Sequence, residues 1–177
     1  MIARREYRAP FDQPAQIATL LVLMVALGSA MALNALLPEG RMEVPGKIYF
    51  ALMILAVVIG WGLAVRSYEI GSKWLFIRSF LGYKKIGLKD IRAARYVPTL
   101  VHSEIEKSHG LSGMFGYFGS HRADGIDGLF RMRCNRIAPA ILIETQRANY
   151  LISPDDTREF LNELNERLAE RDIAPID

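Results

Sequence analysis

The chain has 177 residues, 51% of them hydrophobic, and a formal net charge of +3, so it is long enough to bury one ordinary core. Its apolar residues are concentrated in the first 65 positions, which excludes the even patterning of a purely soluble domain. The single cysteine, Cys134, excludes an internal disulfide and fits a reducing compartment as a small apolar core residue.

Residues 1–16 form a polar lead carrying Arg4, Arg5 and Arg8, with Tyr7 and Phe11 placed to rest at an interface. Residues 17–37 follow as an apolar run interrupted only by Thr19, Ser29 and Asn34, long enough for a transmembrane helix. A cleavable secretory leader is the competing reading, because Ala30, Met31 and Ala32 have the small-residue spacing of a cleavage site; the run continues past them to Leu37. Residues 48–65 are a second run, which at about 1.5 Å per residue reaches about 27 Å, close to a bilayer's hydrocarbon thickness.

No lysine, arginine, aspartate, glutamate or histidine lies inside either run, which argues for an anchor or packing surface rather than an ion path. Ala26 and Ala30, Gly28 and Ala32, and Ala56 and Gly60 set small residues four apart, the spacing that lets helices approach closely in lipid. Of basic residues the connection 38–47 holds only Arg41 and Lys47, whereas Arg4, Arg5 and Arg8 precede the first run and Arg66, Lys73, Arg78, Lys84 and Lys85 follow the second. The positive-inside rule therefore predicts a two-pass hairpin of residues 1–66 in the inner membrane, with both termini cytoplasmic.

Beyond Arg66 the hydrophobic period changes to two. Residues 67–70, 73–80, 83–88 and 91–97 read as short strands separated by turns at Gly71 and Gly82, with Leu75 and Ile77 on the face opposite Trp74, Phe76 and Arg78. Residues 99–128 are irregular and glycine-punctuated; residues 130–134, 138–145 and 150–152 read as three further strands. Ser153 can then cap a helix that Pro154, Asp155 and Asp156 open, with Phe160, Leu161, Leu164 and Leu168 on one face. The order predicts an α+β chain whose cytoplasmic domain, 67–177, is a seven-stranded sheet bent into a barrel or sandwich and closed by its last helix.

Four stretches carry a family resemblance: Leu75-Phe76-Ile77-Arg78 with Ile86-Gly87-Leu88-Lys89-Asp90-Ile91; Gly113-Met114-Phe115-Gly116-Tyr117-Phe118-Gly119; Ala140-Ile141-Leu142-Ile143; and Tyr150-Leu151-Ile152-Ser153-Pro154-Asp155-Asp156 leading into Phe160. Together they resemble the bacterial pleckstrin-homology (PH-like) domain family, many members of which carry transmembrane helices before the domain. The resemblance implies a seven-stranded antiparallel barrel capped by a C-terminal helix, without catalysis and without a cofactor. Eukaryotic relatives of the fold often bind phosphoinositides through basic residues of the first hairpin, which places Lys73, Arg78, Lys84 and Lys85 as the candidate lipid-binding set.

Charge asymmetry points the same way. Between Ser67 and Arg95 seven bases face Glu69 and Asp90, whereas from Ser153 onward three arginines face eight carboxylates. Anionic lipid attracts each nearby base by about 1 kcal/mol. The same acidic end disfavours nucleic acid as a partner.

The interleaved Met114, Phe115, Tyr117 and Phe118 are too bulky for a phosphate-cradling loop; they either pack on the barrel or form an interaction loop for the bilayer or a partner. His102, Glu104, Glu106 and His109 would be the ligands of any metal site, but no second ligand pair flanks them, and no metal is expected. His121, Arg122 and Asp124 lack a placed nucleophile. The sequence thus predicts a membrane-anchored, non-enzymatic module for anionic lipid headgroups, a membrane protein partner or a second copy of itself. The alternatives are an assembly or stability factor of a larger membrane complex and a metal-dependent enzyme built on residues 99–110.

Overall fold

The structure, a computed structural model, describes residues 5–36, 43–100, 105–112, 115–123 and 126–173. Met114, His102, Glu104, Asp124 and residues 38–42 of the connection lie outside the described residues. In chain order the elements are β1 (Arg5–Arg8), α1 (Gln13–Leu36), α2 (Glu43–Leu63), β2 (Val65–Ile70), β3 (Trp74–Ser79), β4 (Gly82–Gly87), a 3-10 turn (Leu88–Asp90), β5 (Ile91–Val97), β6 (Ile105–Ser112), β7 (Tyr117–Ala123), β8 (Ile126–Cys134), β9 (Ala140–Thr145), β10 (Asn149–Ile152) and α3 (Thr157–Ile173).

The α+β class and the closing helix match the expectation, but the seven-stranded antiparallel barrel does not. The strands form two sheets, β1-β2-β3-β4 and β5-β9-β10-β8-β7-β6, and the described residues do not join them into a closed barrel. Nor is the second sheet wholly antiparallel. β9 lies two places from β8, so the hairpin that returns from it sets β10 between the two, antiparallel to β9 and parallel to β8.

Three strands escaped the sequence pattern. β1 lies in the polar lead, where Tyr7 is its inward apolar residue, and pairs with β2 from Arg5 opposite Ile70 to Arg8 opposite Ser67. Tyr7 is buried rather than interfacial; its ring meets Phe160 edge-on at 5.0 Å and its hydroxyl donates to Glu163 at 2.7 Å. β6 and β7 occupy the glycine-punctuated stretch, paired from Ile105 opposite Ala123 to Ser112 opposite Tyr117.

Alternation assigns the core. Tyr68, Ile70, Leu75, Ile77 and Ile86 of the first sheet face Ile141, Ile143, Tyr150 and Ile152 of the second, with Phe160 and Leu164 of α3 in the same cluster. The opposite face of the second sheet buries Tyr117, Phe130, Met132, Cys134, Leu142 and Leu151. β9 is buried on both faces, which is why residues 140–143 read as an unbroken apolar run.

α3 starts one turn later than Ser153. Asp156 caps it, accepting from the Glu159 amide at 3.0 Å, while Ser153 is fully buried and its hydroxyl has no partner among the described residues.

Candidate functional site: the junction of helices and sheet

α1 and α2 expose large apolar side chains along their lengths, Met24, Val25 and Met31 on one and Ile48, Leu52 and Leu55 on the other. One stretch among the described residues, Gly46–Leu63, is long and apolar enough to cross a membrane; Gln13–Ser29 is apolar but shorter. The helices touch where the Ser29 hydroxyl lies 2.7 Å from that of Tyr49.

Both helices root in the sheets within a few residues of each other. Asp12 accepts from the Ala15 amide at 2.8 Å and so caps α1, and its second carboxylate oxygen accepts from the Tyr117 hydroxyl at 3.2 Å. Burial pushes the Tyr117 hydroxyl well above its usual titration range, and the Asp12 charge adds to the shift. Thr19, in the second turn of α1, accepts from the Phe115 amide at 3.1 Å.

At the foot of α2 the indole of Trp61 stacks on Phe80 with centroids 4.0 Å apart, and the Leu81 amide donates to the Gly62 carbonyl at 2.9 Å. Gly60 faces Phe115 so closely that a Cβ would sit 2.5 Å from its ring. The small residue that the sequence suggested for helix pairing instead admits a side chain of the chain's own domain.

The two roots share one clasp. Asn135, fully buried, accepts from the Val65 amide at 3.1 Å and donates to the carbonyls of Val65 at 2.5 Å and Ala9 at 3.1 Å. Its own carbonyl accepts from the Asp12 amide at 3.2 Å. One side chain therefore holds the chain just before α1 and just after α2. No sequence motif marks it; its signal was only an uncharged polar residue directly after a strand.

The candidate basic residues do not converge. Lys73 is exposed at the turn between β2 and β3, beyond Ile70, which lies five residues along β2 from Val65, roughly 16 Å at ~3.3 Å per residue. Lys84 pairs with Ile77 and takes the pleat parity of the core, whereas Lys85 lies on the outer face with its ammonium 5.0 Å from the Trp74 ring centre. Arg78 is held by Glu69 through Nε at 2.8 Å and a terminal nitrogen at 2.5 Å, and Glu69 is only 5% exposed.

The glycine-aromatic stretch is likewise engaged at home. Phe115 lies on Gly60 of α2, Tyr117 is buried, and Phe118 packs on the main core; Met114 lies outside the described residues. Of the metal-ligand set, Glu106 is exposed on β6, where it pairs with Arg122 across the ladder. His121 is buried beside Phe130, its Nδ1 3.2 Å from the Gly119 carbonyl.

A family model described as bacterial PH domain matches residues 66–168, more than half of the chain. The chain belongs to the bacterial PH domain family. No curated protein and no solved structure is similar enough to count as a match. The match begins at Arg66, so within this PH domain β2 is the first strand, and β1 is a further strand added at its edge from the far side of α1 and α2. A PH domain is in general a binding module rather than an enzyme, which directs attention to its surfaces.

The outer face of the first sheet carries one such surface. A cleft of about 590 Å³ opens between Arg66, Arg78, Phe80 and Tyr83, beside the foot of α2. That volume is ordinary for a small polar ligand. The sequence did not mark Arg66 or Glu6 of β1 as site residues, because the turn that completes the cleft, at Phe80, lies fourteen residues after Arg66 in the chain.

Proposed function

We propose that the chain is a two-pass, inner-membrane, non-enzymatic recognition module, its PH-like domain presented at the cytoplasmic face to lipid headgroups. The observation that carries this reading is the shared root of the two helices: β1 enters α1 and α2 returns into β2, and β1 and β2 are neighbours in one ladder. A chain that leaves and re-enters one body has its two strand-bearing ends on the same side. The helices between them present uncovered leucine, isoleucine and valine side chains, as lipid-facing helices do. Arg5, Arg8 and Arg66 stand at the roots, and the positive-inside rule assigns that side to the cytoplasm.

Cysteine labelling tests the topology, because Cys134 is fully buried and stays silent. In otherwise intact cells, Gly40→Cys is expected to react with a membrane-impermeant maleimide, and Asp177→Cys only after permeabilisation. Protection of position 40 together with release of the protein by an alkaline wash would remove the reading.

A second reading, an assembly or stability factor docking through its helices, is favoured by one observation: nothing described lies within 4 Å of a Cβ at Gly28. That part of α1 is open to another helix, unlike Gly60. Purification in mild detergent, with Gly28→Leu as the comparison, is expected to lose any partner held there.

A further inference from the structure

The sheet register sorts the outer face of β1-β2-β3-β4 into two rows. Arg8, Ser67, Arg78 and Tyr83 stand opposite one another in the first, and Glu6, Glu69, Phe76 and Lys85 in the second. This face looks away from the core, so its polar side chains should be wet. Ser67 is not: it lines the cleft yet is 1% exposed, and its hydroxyl has no hydrogen-bond partner among the described residues. A buried hydroxyl left unpaired costs free energy unless something else enters to bond it.

The charges that line the cleft are balanced and divided, two arginines against two glutamates. Arg78 and Glu69 neutralise each other. Arg66 and Glu6 remain, and neither has an ion-pair partner among the described residues; the Arg66 guanidinium rests over the Phe80 ring at 5.3 Å. A polyanion entering here would meet two carboxylates, and a simple cation would meet Arg66. A molecule carrying a phosphodiester and an ammonium a few atoms apart meets both groups favourably. The mouth of the cleft is set by Phe80, which stacks on Trp61 in the last turns of α2, so it opens where the chain emerges from its most apolar helix.

We propose that this cleft is a binding site for the zwitterionic phosphoethanolamine group of a phospholipid, its phosphate taken by Arg66 and the Ser67 hydroxyl and its ammonium by Glu6. This deepens, and rests on, the membrane-anchored reading above. It also moves the lipid site away from Lys73 at the β2-β3 turn to the other end of that hairpin, where Arg78 lies, and from an anionic headgroup to a neutral one.

The test is titration calorimetry of the full chain in neutral detergent with short-chain phosphatidylethanolamine, short-chain phosphatidylglycerol and free phosphoethanolamine. Phosphatidylethanolamine is expected to bind at least about tenfold more tightly than phosphatidylglycerol, and Ser67→Ala and Arg66→Gln each to weaken it about tenfold, the usual effect of losing a hydrogen bond to a charged group. Ser67→Ala removes an unpaired hydroxyl and is expected to melt no lower than the parent, which separates lost binding from lost folding. Displacement of the lipid by free phosphoethanolamine assigns recognition to the headgroup alone; lipid that is not displaced assigns it to the intact lipid, and either supports the site. Equal affinity for the two lipids, or no effect of both substitutions, overturns it. Lipid binding lost in Lys84→Gln/Lys85→Gln but kept in Ser67→Ala and Arg66→Gln overturns the cleft while leaving lipid recognition standing, whereas failure of the labelling experiment removes the anchor itself.

Discussion

Replacing Asn135 by alanine removes the acceptor of the Val65 amide and the donor to the Val65 and Ala9 carbonyls, all inside a fully buried site. Each buried backbone group left unpaired costs about 1–3 kcal/mol; because the three are adjacent and can relax together, the total is about 3–5 kcal/mol. Against a typical domain stability of about 5–15 kcal/mol this is a large fraction, equivalent to a fall in melting temperature of roughly 10 °C. Asn135→Asp should be at least as damaging, since it turns an acceptor toward two carbonyls and buries a charge. Thermal unfolding of the full chain in detergent, followed by circular dichroism, reads the magnitude, with exposed Arg92→Ala as a control expected within about 0.5 kcal/mol of the parent. Hydrogen exchange locates it: the Val65 amide should lose protection first. An Asn135→Ala protein that melts within a degree or two of the parent and keeps Val65 protected would show that the clasp does not hold the junction.

Gly116 has φ +125, and a Cβ there would lie 2.8 Å from the Asn135 side-chain oxygen; Gly116→Ala is expected to cost about 1–3 kcal/mol in the same melting assay and to deprotect the same amide. Alkaline pH should unfold the domain for a separate reason. Burial holds the Tyr68 hydroxyl and the Cys134 thiol protonated far above their ordinary values of 10.0 and 9.0. The unfolded chain therefore loses these protons first, so stability is intact below about pH 9 and falls by about 1.4 kcal/mol per pH unit for each group as pH rises past its unfolded value. A melting temperature that is flat from pH 8 to pH 11 would contradict that assignment.

The parts of the fold that were legible in the sequence are those whose burial leaves a period. β3 alternates cleanly, β9 is apolar throughout because both its faces are covered, and α3 repeats Phe160, Leu164 and Leu168 on its inner side. β1 was hidden because four residues with a single inward tyrosine carry almost no periodic signal, and its partner is remote in sequence. β6 and β7 were hidden by glycines that read as loop but sit within a ladder. Site residues fared worse than strands. Asn135, Ser67 and Glu69 matter through what surrounds them, and a buried carboxylate held by an arginine nine residues away looks, in one dimension, like any exposed pair on a strand.

The pairing of β1 with β2 also bears on how the chain reaches its final form. The first strand is made early, yet its partner follows only after both helices, nearly sixty residues on, a separation that would ordinarily make closure slow. Two stiff rods that lie against each other carry the later segment back to where the earlier one waits, so the ladder's edge is completed only in molecules whose helices have come together. β1 thereby closes the sheet's edge across the whole helical segment, joining residues 5–8 to residues 67–70.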